Sequence, residues 1–149
     1  MNRDMRADRP EAVRPPRVWT AKEANERIAS LGALLSEMKG WAVRRADLVQ
    51  ELERLAAFWG AELDAPDHAD HGTRRRLEAE VHELSHRLEG AVRALRAEGI
   101  EVKELQVGLV DFYTVQDGEL SFLCWRSDEP TVSFFHPLTG GYRNRRPVP

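Results

Sequence analysis

The chain has 149 residues, 42% of them hydrophobic, with 22 Lys and Arg against 25 Asp and Glu for a formal charge of -3. That suits one domain with its own core and argues against a nucleic-acid binder. The single cysteine excludes an internal disulfide, no stretch approaches the ~20 apolar residues of a membrane span, and residues 1–17 lack the apolar run of a signal peptide. A reducing cytoplasm without membrane contact is the expected setting. Charge is distributed unevenly: residues 1–17 carry +2 and Arg143, Arg145 and Arg146 add +3, which leaves -8 between them. Basic ends on an acidic body read as solvated tails.

Residues 1–17 combine Arg, Asp and Pro with little to bury, and are expected to be a disordered or extended arm. A single domain follows over 18–149. Thr20-Ala-Lys-Glu23 is a capping box, with Trp19 placed to staple onto Ala24, so a helix starts at Thr20. Ala24, Ile28, Leu31, Leu35, Met38, Ala42, Val49, Leu52, Ala56 and Trp59 follow alternating steps of four and three, a heptad seam of the coiled-coil kind broken by Arg45. A second stripe, Leu34, Trp41, Leu48 and Leu55, widens the apolar face, so this helix should touch two neighbours. Gly60 stops it.

After an acidic loop, Thr73 can cap a second helix in which Leu77, Val81, Leu84, Leu88, Ala91 and Leu95 repeat the spacing, and Gly99 ends it. The two form an antiparallel helical hairpin over 20–98. At 1.5 Å per residue the first helix is ~60 Å long and the second ~39 Å, so the start of helix one should project past helix two and lie beneath a sheet.

That sheet is expected over 100–136. Two strand-like runs flank Asp117-Gly118, a pair that accepts a type I′ turn. The turn pairs Gln116 with Glu119, Asp111 with Cys124, Phe112 with Leu123 and Val110 with Trp125. A further strand over 131–136, turned at Asp128 and Glu129, would align Cys124 with Ser133 and Leu123 with Phe134. Val110, Phe112, Leu123, Trp125, Val132 and Phe134 then cover the helices, and strand parity puts His136 with them unless the strand ends first. The opposite face mixes Leu109, Tyr113, Phe122 and Phe135 with Asp111, Cys124, Arg126 and Ser133. The basic tail over 137–149 reads as irregular. The fold class is thus α+β: a long antiparallel helical hairpin and a small antiparallel β-meander packed on it.

The capped heptad hairpin, Gly108-Leu-Val-Asp-Phe112, Leu123-Cys-Trp125, Glu129-Pro130, Phe134-Phe-His136 and Gly141-Tyr-Arg-Asn-Arg-Arg-Pro147 together resemble the prokaryotic domain of unknown function 2203 over about 18–148. The resemblance implies a small cytoplasmic protein with a helical hairpin and a C-terminal sheet. It implies no activity, cofactor or catalytic residue.

Two metal-ligand patterns stand out. His82-Glu83-Leu84-Ser85-His86 matches the zincin helix motif, in which two His bind zinc and the Glu activates water. At 100° per residue, however, both His face away from the core stripe, so a solvated face is the expected outcome. His68 and His71, with Asp67 and Asp70, offer ligand chemistry in a loop expected to be solubilising. No cofactor is expected, with zinc at these histidines as the exception the patterns leave open. The other candidate is a pocket floored by Asp111, Cys124 and Ser133, with Arg126, Glu129 and His136 around it; the competing expectation is a face covered by the tail. Surplus apolar surface on helix one, the Trp41 stripe included, points to a homodimer, or to another protein partner. The expected function is a non-enzymatic self-associating interaction or scaffold module. A small-ligand or metal-binding module on the mixed sheet face is the alternative, and a zinc hydrolase on His82 stands behind both.

Overall fold

A computed structural model describes residues 12–149; the expected arm over 1–17 lies for its larger part outside them. The described chain is α+β, a helical hairpin followed by a five-stranded antiparallel sheet. Helix α1 spans Ala21–Trp59. Its start is fixed by both halves of the capping box: the Glu23 amide donates to the Thr20 hydroxyl at 3.2 Å, and the Thr20 amide to the Glu23 carboxylate at 3.4 Å. Gly60 ends it at φ 56°, and a 3-10 turn over Gly60–Asp64 tucks Leu63 into the interior.

Helix α2 spans His71–Ala97, so it begins two residues before the expected Thr73. Asp70 precedes it but gives no side-chain cap, because the Asp70 carboxylate accepts from the Trp59 indole at 2.8 Å. The loop between the helices is mostly exposed, yet stitched at its half-buried residues. His68 Nδ1 accepts from the Asp70 amide at 3.0 Å, and His71 Nδ1 donates to the Leu63 carbonyl at 3.1 Å.

Strands β1 (Ile100–Glu104), β2 (Leu109–Gln116), β3 (Glu119–Arg126), β4 (Phe134–Pro137) and β5 (Arg146–Pro147) lie side by side in chain order. Asp117 and Gly118 both take positive φ, 52° and 78°. The β2–β3 register is the one this turn predicts, from Gln116↔Glu119 to Leu109↔Arg126. One face of the sheet, with Val110, Phe112, Leu123 and Trp125, packs on Ala24, Leu31, Leu35 and Met38 of α1 and Leu95 of α2. The sheet therefore covers the first half of α1, as the unequal helix lengths require. Ahead of the start of β1, Trp19 continues the edge: its amide donates to the Tyr113 carbonyl at 2.7 Å and its carbonyl accepts from the Thr114 hydroxyl at 2.6 Å.

Two expectations are corrected. The tail is not irregular throughout, since β5 pairs with β4 through Phe134↔Pro147 and Phe135↔Arg146. More consequentially, β4 is shifted by one residue: Cys124 pairs with Phe134, Leu123 with Phe135 and Phe122 with His136. Because side chains alternate, the shift moves Phe134 and His136 to the mixed face and Phe135 toward the core. The cause is the loop between β3 and β4, which is no two-residue turn. Asn25 of α1 grips it, its Oδ1 accepting from the Val132 amide at 2.7 Å and its Nδ2 donating to the Val132 carbonyl at 3.3 Å. The Trp125 indole meanwhile donates to the Glu129 carbonyl at 3.0 Å.

Replacing Asn25 with Ala leaves a backbone donor without its partner, so Asn25→Ala is expected to lower stability by about 1–3 kcal/mol. Urea unfolding measures it; an unchanged midpoint would show that Asn25 does not hold the loop.

Candidate buried Asp-Cys-His site

The mixed face of the sheet is built from alternate residues of three neighbouring strands. Asp111 on β2 pairs with Cys124 on β3, and His136 on β4 is paired with Phe122, one step along the same face. Donor atoms of Asp111, Cys124 and His136 all lie within 4.8 Å of one another. Exposure is 2% for Asp111, 0% for Cys124 and 2% for His136, so the row lies beneath the surface and is not the floor of an open pocket.

His136 is held at both ring nitrogens. Nδ1 lies 2.8 Å from the Pro137 carbonyl, which can only accept, so Nδ1 carries a hydrogen. Nε2 lies 3.1 Å from Asp111 Oδ2, and a single proton is shared across that contact. The other carboxylate oxygen, Asp111 Oδ1, is buried with no hydrogen-bond partner. Burial pushes the Asp111 carboxyl up, and the neighbouring His136 pulls the other way. Burial, reinforced by the Asp111 charge, pushes the Cys124 thiol up to about 12.

These facts exclude a Cys-His-Asp nucleophile. In such a triad the histidine stands between thiol and carboxylate with one nitrogen free for the sulfur. Here both nitrogens are engaged elsewhere, and the thiol keeps its proton.

The tail forms the rim. Arg145 lies beside Cys124, where its charge opposes the rise of the thiol. Its guanidinium donates to Glu129 Oε1 at 2.6 Å, with only 12% and 16% of the two side chains exposed. The same group stacks 4.0 Å from the Tyr142 ring and 4.3 Å from that of Phe134. The other Glu129 oxygen is buried without a partner. An open cavity of about 390 Å³ beside the row is lined by Pro137, Thr139, Gly140, Asn144, Arg145 and Arg146.

Of the residues expected here, Asp111, Cys124 and His136 converge, and Glu129 reaches the rim through Arg145. Ser133 does not join the row: it precedes β4 and its hydroxyl bonds that of Thr131 at 2.7 Å. Arg126 turns outward to fork with Asp128 at 2.6 and 2.7 Å. Sequence reasoning placed Arg145 only in a basic tail; its signal was the aromatic neighbour Tyr142, three residues before it. On α2, His82 and His86 are exposed with ring centroids 4.7 Å apart, and Glu83 pairs with Arg87 at 3.1 Å. Among the described residues the group of three that could hold a metal is Asp111, Cys124 and His136, not this helix face. His68 meets Trp59 edge to face, ring centroids 4.5 Å apart, and acts with His71 as a loop fastener.

A family model described as an uncharacterized conserved protein, DUF2203, matches residues 17–148. The chain belongs to the DUF2203 family. That span includes every strand and both helices described above, and the description assigns no activity. Neither a curated protein nor a solved structure matches the chain. Among the described residues of this DUF2203 member, no helix is long and apolar enough to cross a membrane.

With the thiol buried and protonated, Cys124 should resist iodoacetamide in the folded protein at about pH 8 and react only as the chain unfolds. Mass spectrometry of labelled samples reads this directly, and rapid labelling of the native protein would show that the row is open.

Proposed function

We propose that this protein is a non-enzymatic interaction module in which two copies associate through the outer half of the helical hairpin. The observation that carries this is the continuity of one face of α1. Val49 stands eighteen residues after Leu31, and Ala56 eighteen after Met38, a separation of about five whole turns. They therefore extend the strip that the sheet covers at Leu31 and Met38, past the point where any sheet remains. Leu31 and Met38 are fully buried. Val49 and Leu52 are half-buried and Ala56 is exposed. With Leu63 they line an open groove of about 550 Å³ whose rim carries Glu53, Asp64, Glu78 and Arg74.

The expected surplus on the Trp41 stripe is thereby relocated. Trp41 packs against the core cluster and Leu48 is buried, so it is the outer end of the heptad seam that lacks a neighbour. Two helices alone bury little on their outer flanks, and stable helical bundles generally use four. A second copy supplies the missing pair, because a two-fold contact sets the same apolar strip against itself. No reaction is assigned, since the buried row holds no activated nucleophile.

Light scattering on the eluting protein should give twice 17.0 kDa at micromolar concentration. Val49→Glu places a charge on the strip of both copies and is expected to raise the dissociation constant by at least about 100-fold, leaving helix content unchanged by circular dichroism. A wild-type mass of 17.0 kDa across that range would sink the self-association reading.

A further inference from the structure

We infer that Asp111, Cys124 and His136 form a binding site for a divalent transition-metal ion of the zinc class. The three residues offer one oxygen, one sulfur and one nitrogen donor, the mixture such borderline ions favour. They come from three adjacent strands and lie within 4.8 Å of one another. Ligand atoms around a tetrahedral zinc stand about 3.5 Å apart, so closing on an ion needs roughly an ångström of side-chain adjustment.

Two independent features point the same way. Zinc-ligating histidines characteristically donate the other ring N–H to a carbonyl or carboxylate, which fixes the tautomer and aims the ligating nitrogen. His136 does this already, with Nδ1–H on the Pro137 carbonyl at 2.8 Å and Nε2 turned to the row. The second is Asp111 Oδ1, a buried carboxylate oxygen that accepts no N–H or O–H hydrogen bond and has the weak Cys124 thiol as the polar group beside its carboxyl. Such an atom costs about 1–3 kcal/mol in a fold that leaves it unmatched, and a cation removes that cost.

The charge balance closes. Without metal, the row holds the Asp111–His136 pair, which shares one proton, and a neutral thiol. Metal entry displaces the shared proton and the thiol proton, so one dication replaces two protons and the buried net charge stays the same. Three protein donors leave a fourth position, open to water. The nearby cavity is lined by Pro137, whose carbonyl accepts from His136, and by Arg145, the cation beside Cys124, so it lies on the side of the row that the tail covers.

Cobalt(II) and zinc(II) test this on the full, untagged chain after chelator treatment. Cobalt should bind at one equivalent and give the near-ultraviolet thiolate-to-cobalt charge-transfer band, zinc should displace it, and thermal unfolding should shift upward with metal. Cys124→Ser keeps the side-chain volume and should abolish the band while weakening uptake by at least about 100-fold, more than the loss of an outer-shell partner alone. His82→Ala should leave both unchanged. No uptake, uptake without the charge-transfer band, or uptake lost in His82→Ala instead of Cys124→Ser would each overturn the assignment. Because Cys124→Ser is nearly isosteric, its fold is checked by circular dichroism before titration, with Asp111→Asn as the second variant expected to weaken uptake.

Discussion

The two hydrogen bonds from the Asn25 side chain to the backbone of Val132 set the rest of the structure. They fasten the loop that follows β3 to the first turns of α1, and with it the point at which β4 can begin. A strand one residue earlier or later presents the opposite set of side chains. With β4 beginning at Phe134, Phe135 joins the core and His136 meets Asp111. A contact between a helix and a loop thus decides which residues of a distant sheet face can act together.

That sheet face is unusual in what it buries. The core-facing side is apolar apart from Thr114 and Ser121 toward the β2–β3 turn, whereas the other encloses a carboxylate, a thiol, an imidazole and, at the rim, a Glu–Arg pair. Breaking such a buried pair by removing one partner costs more than the pair itself contributes, so these groups are conditionally stable as sets. Arg145 is matched by Glu129 in charge and by Tyr142 and Phe134 in stacking. The short β5 beside it keeps the tail on the sheet edge. Each set nevertheless keeps one buried carboxylate oxygen that accepts no hydrogen bond, Glu129 Oε2 at the rim and Asp111 Oδ1 in the row, where Asp111 Oδ2 meets His136. Hydrogen bonding within the protein therefore leaves one acceptor unmatched in both.

Local signals were legible in the sequence wherever chemistry acts within a few residues. Thr20 and Glu23 form the capping box they spell, Gly60 ends α1, and Asp117-Gly118 fixes eight cross-strand pairs. Legibility failed where a residue answers to a partner far along the chain. Thr73 was read as the cap of α2, which begins at His71 instead, and the Asp128-Glu129 turn was overridden by Asn25, which stands more than a hundred positions away. The site followed suit: Asp111 and Cys124 were paired correctly by a local turn, while His136, named as a site residue, could join them by strand parity only if its strand ended early, because its register depends on that remote contact.

Helix α1 shows why its apolar pattern was wider than one neighbour needs. Residues spaced by seven drift around a 3.6-residue helix by about 20° per repeat, so the stripe Leu34, Trp41, Leu48 and Leu55 winds slowly over three repeats. It stays within reach of α2, and Leu48 becomes one of the few fully buried residues of the outer hairpin. The strip through Leu31, Met38, Val49 and Ala56 is spaced by seven, eleven and seven, so the eleven-residue step cancels the drift of a seven and the strip runs straight. A straight strip meets the sheet only as far as the sheet extends. The apolar surface beyond it is a geometric remainder of one helix that serves two neighbours of unequal length.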